Sequence, residues 1–577
     1  MPYRAPLADH AFVMRHVAGF EAVSATPRFA EATAETVQAI LTEAGRLSED
    51  VLAPLQRVGD RHPARLDGET VHTPPGFAEA WREIADGGWL GLAAAPASGG
   101  LGLPMTVAAS VNEMMAGACL AFQIGPLLAQ GQIEALEHHA DDRLRALALP
   151  RLISGAWSAT MNLTEPQAGS DVGALTTRAE PMPDGSFRIT GQKIYISWGD
   201  NDFTENVSHL VLARLPDAPK GARGISLFLV PKRDPDSGAA NGVRVLGLEE
   251  KLGLHGSPTC TLAYEGATGW MVGEANGGLR AMFTMMNNAR LGVGVQGIGI
   301  AEAALQQALA HAAERVQGTT PPGREASIIG HADVRRMLAV MRAEVFAARA
   351  IALQTAVATD MAAATGAAEW AARAGLLTPI AKAFGTDTGT QVSGLAMQVQ
   401  GGAAYVEGTG AAQFLRDVRV TTIYEGTNGI QAMDLVGRKL ADGGQAAFAA
   451  LDALEAAAAA PGVATGLAGD LAAASRRLRA TTEEMLATDV VARGGGAAAY
   501  LRGWARVLGG AAHLAAARAE GGAGPRSLLA EVYRRRLLPE HAPLLSEAAA
   551  GEEDIAGLDA AALCADDATA GNGGLAA

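Results

Sequence analysis

A chain of 577 residues carrying a formal charge of −15 is too long for one hydrophobic core and, at roughly 100–200 residues per domain, is expected to divide into three to five. The acidic balance excludes an extended phosphate-binding face, which needs Lys and Arg concentrated on one side, so no nucleic-acid partner is expected. The only cysteines, Cys119, Cys260 and Cys564, are too few and too scattered for a disulfide framework or a CxxC site, which points to a reducing compartment.

Hydrophobic residues make up 49% of the chain but aromatics only 5%, and the abundance of Ala favours helix-on-helix packing. The N-terminal MPYRAPLADHAF is interrupted by Arg4, Asp9 and His10 and resembles no signal peptide. No apolar run of about 18 residues free of charge and Gly follows, so a soluble chain without a membrane span is expected. Six lysines against forty arginines look like a high-GC bacterial bias, and the expected location is the cytoplasm.

From Phe29 to about Leu152 apolar residues recur at three- and four-residue spacing, broken by Gly/Pro-rich stretches at Thr73–Gly76 and Ala95–Pro104; with its leading segment this predicts a helical domain over 1–156. Between Trp157 and about Val272 the period shortens: FRITGQKIYI, HLVLARL and GISLFLVP read as strands, with Pro183-Asp184-Gly185 as a turn, and a β domain is expected over 157–274. Long Ala/Leu/Met segments then predict an antiparallel helical bundle over 275–445. After the helix end and linker around Pro461, Tyr500, Trp504 and Leu508 recur at four-residue spacing and predict a further helical domain over 463–560. The small, polar tail 561–577 is expected to be disordered. The fold class is therefore mainly α with a central β domain.

Several motifs carry less than they suggest. GVGVQG, Gly292–Gly297, matches GxGxxG, but helical rather than strand-like sequence precedes it, and its glycines are better read as close helix packing. Neither HExxH nor GxSxG occurs. The pair His138-His139 beside Glu137 reads as a solvated helix face rather than a metal site. His255 in GLHGSPT is expected to stabilise a turn, since no proton-transfer partner is identifiable.

Two separated segments carry the chemistry. MNLTEPQAGSDVGAL (Met161–Leu175) places hydroxyls and free backbone N–H groups in a loop between the helical and β domains; alone, it reads as a capped turn. TTIYEGTNGIQAMDLVGRKL (Thr421–Leu440) places Glu425 at a helix entrance, where a lone Glu reads as a capping carboxylate. Together, and in this order, they resemble the two signature regions of the acyl-CoA dehydrogenase family, with the resemblance running over roughly residues 50–445. EEKLGLHGSPTCTLAYEGATG, GLRAMFTMMNNARLGVGVQGIGIAEAAL, the leading PYRAPLADHAFVMRHVAGF and the helical region after Pro461 resemble its long bacterial branch.

The resemblance implies an N-terminal helical domain, a middle β domain and a C-terminal four-helix bundle, here followed by an extra helical domain. It implies FAD-dependent α,β-dehydrogenation of an acyl-CoA thioester, with 3-methylmercaptopropionyl-CoA or a short- or medium-chain acyl-CoA as substrate and an electron-transfer flavoprotein as acceptor. Glu425 matches the family's base, which removes the α-proton while hydride leaves the β-carbon for the flavin. The Glu425 backbone N–H and a ribityl hydroxyl would bind the thioester carbonyl, with Ser170 and Gly426 also on the substrate side. Some members carry the base just before the arginine that corresponds to Arg290; Ala289 stands there, and Arg290 is expected to tune or orient Glu425. The near-copy Tyr405–Thr409 puts Glu407 after a flavin-contacting loop, and it is assigned no proton transfer.

By the same resemblance Met161, Leu163, Thr164, Gly169 and Ser170 form the first flavin loop, with Tyr195 and Ser197 beside the ring; Tyr195 stands where many members have Trp. Arg315 and Gln317 resemble pyrophosphate contacts reached from a neighbouring subunit, and Gln398, Gly401, Gly402, Thr427 and Gly429 the adenine-side contacts. This implies a homodimer or homotetramer. Two other readings remain at this level: an acyl-CoA oxidase or flavin monooxygenase on the same scaffold, and a non-catalytic acyl-CoA-binding protein.

Overall fold

The computed structural model describes residues 3–559 and 562–563. Helices dominate its N-terminal part, among them Ala34–Leu47, Ala53–Arg61, Phe77–Asp86, Met105–His139 and Asp142–Ile153. Their starts follow local chemistry: the Thr33 hydroxyl accepts from the Thr36 amide, and the Asp141 carboxylate from the Leu144 amide, each satisfying an N–H that the first helical turn leaves free. The stretch read as purely helical also holds a hairpin, β1 (Arg65–Asp67) and β2 (Thr70–His72). Its two-residue Gly68-Glu69 turn has Gly68 at φ 61°, a signal too short for helical periodicity to register.

The helical segment Met105–His139, interrupted by a kink at Cys119 (φ −156°, ψ 91°), is long and apolar enough to cross a membrane by length and composition. Its side chains are instead enclosed by other helices and by β3, and a helix that is apolar all round suits the middle of a large core.

The β domain comprises β3 (Trp157–Asn162), β4 (Arg178–Pro181), β5 (Phe187–Ser197), β6 (Asn206–Ala213), β7 (Ser226–Pro231), β8 (Val243–Leu248) and β9 (Thr259–Val272). They form one sheet in the order β3-β6-β7-β9-β5-β4, with β8 also on β9. β3 and β6 pair in parallel, and the other strand pairs of the sheet are antiparallel. The Pro183–Gly185 turn lies not between two of the strands read from sequence but ahead of them, joining β5 to β4, a four-residue strand too short for its alternation to register. A bulge in β5 between Lys193 and Ile196 shifts its register on β9. It leaves Tyr195 at φ 60° with 61% of its surface exposed, whereas Ile196 and Trp198 are buried; the extra residue re-aims one side chain out of the sheet.

The bundle consists of Gly278–Glu314, Ala332–Thr365, Ala368–Gln400 and Asn428–Gly437. GVGVQG lies inside the first of these. A Cβ at Gly297 would stand 2.4 Å from the Gly385 carbonyl oxygen, and one at Gly294 2.9 Å from that of Ala381, so the glycines let two backbones touch. Beyond it, Gln445–Ala459, Thr465–Leu486, Arg493–Ala519, Pro525–Arg536 and His541–Ala550 form a further layer. The first of these packs on the second, so the layer begins ahead of the 463 boundary. Tyr500, Trp504 and Leu508 are buried in it. The tail 561–577 lies, apart from residues 562–563, outside the described residues.

Candidate active site

Glu425 owes its position to the turn that carries it. Thr427 caps the helix Asn428–Gly437 by accepting from the Ile430 amide at 3.1 Å. On the other side, the Tyr424 hydroxyl donates to Gln296 Oε1 at 2.5 Å. Between these anchors Glu425 and Gly426 both take left-handed conformations, φ 57° and 83°, which for Glu costs roughly 1–2 kcal/mol. Lys382 offsets this from below: its Nζ donates to the Gly426 carbonyl at 2.9 Å and to Asn428 Oδ1 at 3.0 Å. The Glu425 amide N–H is not engaged by a backbone acceptor.

The Glu425 carboxyl faces a cavity of about 1290 Å³ built from the N-terminal helical domain, the β domain and the bundle, with Val490 of the further layer at its edge. Part of its surface is reachable from the cavity, yet it lies deep within the protein. That environment disfavours its charged form and pushes its pKa up to about 7, against the pull of Arg290 and Lys382. The same burial brings the Lys382 ammonium down to about 8. Arg290 is buried, with Nη1 3.4 Å from Asp434 Oδ2. Asp434 also takes Arg438 Nε at 2.5 Å, leaving Arg290 incompletely neutralised and near Glu425.

Facing Glu425, the end of β3 and the loop after it bring Met161, Leu163, Thr164, Gly169 and Ser170 to the cavity, and β5 brings Tyr195 and Ser197. The loop is braced from beneath by the buried pair Lys193–Glu165, with Nζ 2.8 Å from Oε1. Glu165 also accepts from the Thr176 and Thr177 amides. Lys193 and these donors hold its carboxyl down at about 2 despite burial. Neither Lys382 nor Lys193 stood out in sequence: each is an isolated Lys with no charged neighbour beside it, and only the fold aims it at a turn or loop.

The structure gathers Glu425, Gly426, Thr427, Arg290 and the seven β-side residues around one cavity. Arg315, Gln317, Gln398, Gly401, Gly402 and Gly429 do not line it. Arg315 Nη2 meets Gln317 Oε1 at 3.3 Å just past the helix Gly278–Glu314. Gln398, Gly401 and Gly402 are exposed at the end of Ala368–Gln400. Glu407 does not line the cavity; its Oε2 pairs at 2.9 Å with Nη2 of Arg416, which does. His255 Nε2 is 3.0 Å from the Lys251 carbonyl oxygen within its turn, but its Nδ1 is 2.9 Å from Asp60 Oδ1 on the helix Ala53–Arg61, a carboxylate partner far away in sequence that the local motif does not reveal. His139 Nε2 meets Thr284 Oγ1 at 2.7 Å, and no group of three or more potential metal ligands occurs among the described residues.

Family models for acyl-CoA dehydrogenases match the chain three times in succession: the N-terminal domain over residues 34–156, the middle domain over 160–267 and the C-terminal domain over 276–440. The chain belongs to the acyl-CoA dehydrogenase family. It is an enzyme of that family, and the three-domain order read from periodicity is the family's own. It is 44% identical over 458 residues to the 3-methylmercaptopropionyl-CoA dehydrogenase of Ruegeria pomeroyi, covering 78% of each chain. It is 34% identical to a broad-specificity linear acyl-CoA dehydrogenase of Mycobacterium tuberculosis, over 76% of this chain and 75% of that one. Among solved structures, Caenorhabditis elegans ACDH-11 in complex with C11-CoA superposes with a TM-score of 0.78 over 92% of this chain and 91% of that one; at 20% identity this speaks to the fold alone. Butyryl-CoA dehydrogenase from Megasphaera elsdenii superposes with a TM-score of 0.60 at 26% identity, over 70% of this chain and 98% of that one.

Proposed function

We propose that this acyl-CoA dehydrogenase is an FAD enzyme that converts an acyl-CoA thioester to the trans-2-enoyl-CoA, with Glu425 as the base. The observation that carries the reading is a carboxyl whose pKa is pushed up to about 7, held by a left-handed turn against a wall of hydroxyls across one cavity. A base with that proton affinity removes a weakly acidic proton near neutral pH more effectively than an ordinary carboxylate.

The β-side wall fits a flat, hydrogen-bonding ring. A Cβ at Gly169 would meet nothing within 4 Å, so the loop is open there, and Tyr195 presents an exposed aromatic ring. Among the described residues the hydroxyls of Thr164, Ser170 and Ser197 take no hydrogen-bond partner. Thr164, Ser170 and Ser197 would hold the flavin edge and Tyr195 would flank it. When bound, FAD supplies the two-electron acceptor for the β-hydrogen. The remaining work belongs to the chain: the Glu425 amide N–H donates to the thioester oxygen as enolate character grows, and its carboxylate takes the α-proton. Arg290 and Lys382 keep enough of that carboxylate ionised, and apolar Ile124, Leu127 and Val293 exclude water from the closed part.

Arg315, Gln317, Gln398, Gly401 and Gly402 lie away from this cavity, which supports their serving the FAD of a neighbouring copy in a homodimer or homotetramer; Thr427 and Gly429 complete the adenine-side set. An electron-transfer flavoprotein is the proposed acceptor, and the cytoplasm, from cysteine use and composition, the proposed location.

Anaerobic titration of FAD-loaded protein with a panel of acyl-CoAs, including 3-methylmercaptopropionyl-CoA, tests the reading. Bleaching of flavin absorbance by one acyl class is expected, with a rate about 10²–10⁴-fold lower in Glu425→Gln. Equal bleaching in both would remove Glu425 as the base. Protein that takes up no FAD would favour a binding role, and rapid reoxidation with peroxide on admitting air would favour an oxidase.

A further inference from the structure

The lining of the cavity is of two kinds. Ile124, Leu127 and Val293, at 4%, 5% and 2% exposure, make its closed part. Its open part carries apolar side chains that remain partly exposed: Ile430 at 38%, Met433 at 41% and Val490 at 49%. Val490 belongs to neither the bundle nor the β domain. It lies in the turn between Thr465–Leu486 and Arg493–Ala519, inside the layer for which the three-domain frame has no use.

That turn is fixed rather than adventitious. Arg493 is buried and donates to the Thr488 and Leu486 carbonyls, at 3.0 and 3.2 Å, and across to the Val436 carbonyl at 3.2 Å. Val436 is on the helix that Glu425 precedes. Asp489 accepts from the Val491 and Ala492 amides at 2.8 and 3.0 Å. Contact with that helix is close: a Cβ at Gly437 would lie 3.9 Å from Val490 Cγ1, and one at Gly494 3.5 Å from Met433 Sδ. One guanidinium thus ties the extra layer to the rim of the cavity.

Resting on the dehydrogenase reading, we infer that this turn is the outer wall of the substrate channel and that Val490 packs against the pantetheine arm of CoA, so that the extra layer helps to set which thioester carrier is accepted. With the α-carbon at Glu425, the acyl chain takes the dry, closed part. The carrier must leave by the open one, because its phosphates cannot be stripped of water among aliphatic side chains. An arm of methylenes and amides leaving there would cover Met433 and Val490, whose exposure is otherwise unfavourable.

The test uses FAD-loaded full-length protein and one acyl group, chosen as the best substrate of the wild type, on two carriers: CoA and N-acetylcysteamine, which lacks most of the arm. Val490→Glu is expected to raise KM for the acyl-CoA by about tenfold more than for the truncated thioester, and Val490→Ile by much less. Arg493→Met, which frees the turn, is expected to act in the same direction, with flavin absorbance unchanged as the check on folding. Equal increases for both carriers would place Val490 against the acyl chain and overturn the assignment. No change for either would remove the turn from the substrate's path. Failure of the dehydrogenase reading looks different: the wild type itself would not be bleached by any acyl-CoA.

Discussion

Glu425 shows how far a single residue can be read before its surroundings are known. The Glu-Gly-Thr order points to a helix entrance, but a carboxylate at such a place ordinarily has its proton affinity lowered, whereas burial raises this one to about 7. If Glu425 must be ionised to act, kcat/KM for the acyl-CoA rises with pH through about 7 and falls tenfold per unit below it; a flat profile from pH 6 to 8 would contradict the assignment. Lys382 lowers that pKa and braces the turn. Lys382→Met is therefore expected to move the profile to higher pH, costing about tenfold at pH 7 and recovering as the pH rises, whereas Lys382→Arg keeps the charge and shifts it less. A loss equal at every pH would mean that the lysine serves only the backbone.

The same carboxyl affects stability. Its folded pKa lies above the reference of about 4.3 for an unfolded chain, so the native state binds the proton more tightly. Stability is lost as pH rises from about 4.3 to about 7, and the penalty is complete above that. Glu425→Gln is then expected to stabilise the fold at pH 8 by up to an order of 3 kcal/mol and to be neutral at pH 4, read as denaturation midpoints at the two values.

Among the elements, the helix Ala332–Thr365 carries the most demanding residue. Arg349 is fully buried, its Nη2 2.6 Å from Glu113 and 2.9 Å from Glu302, and its Nη1 3.4 Å from Asp9. Three carboxylates from three other helices converge on one cation and hold it charged. Arg349→Met removes the central cation and leaves Glu113 buried without a cationic partner, while Arg342 still holds Asp9 and Glu302 and Arg526 still holds Asp9, for an expected loss of about 3–5 kcal/mol in urea unfolding. A loss below about 1 kcal/mol would mean that the carboxylates protonate at little cost. Helices of this length were legible from apolar spacing, and so was the helical context that ruled out a dinucleotide turn at Gly292–Gly297. The hairpin at Arg65–His72 was not, because three-residue strands carry no period. Nor was the bulge in β5, which depends on pairing with β9 rather than on anything within FRITGQKIYI.

Across the whole molecule, the leading segment and the last layer meet. Asp9 takes Arg526 of the layer on one oxygen and Arg342 of the bundle on the other, each at 2.7 Å; Arg506 of the layer pairs with Glu344 of the bundle, also at 2.7 Å. On the proposed function, the residues of the resemblance that lie away from the cavity serve a second copy. Light scattering is expected to give at least twice the chain mass, and Arg315→Ala to weaken FAD retention without altering the cavity that holds Glu425. A monomer that keeps its FAD would refute this.

By itself the sequence determined the order of helical, β and helical domains, the family, and the place of Glu425 at a helix entrance, because periodicity and short motifs record local geometry and the chemistry it presents. What only the tertiary structure decided is what depends on distant residues meeting: the proton affinity of Glu425, the lysines that brace its turn and the facing loop, the ionic junction at Arg349, and the place of Val490 on the rim of the cavity. Burial and Coulombic energies are set by neighbours that lie far apart along the chain, and no local pattern carries them.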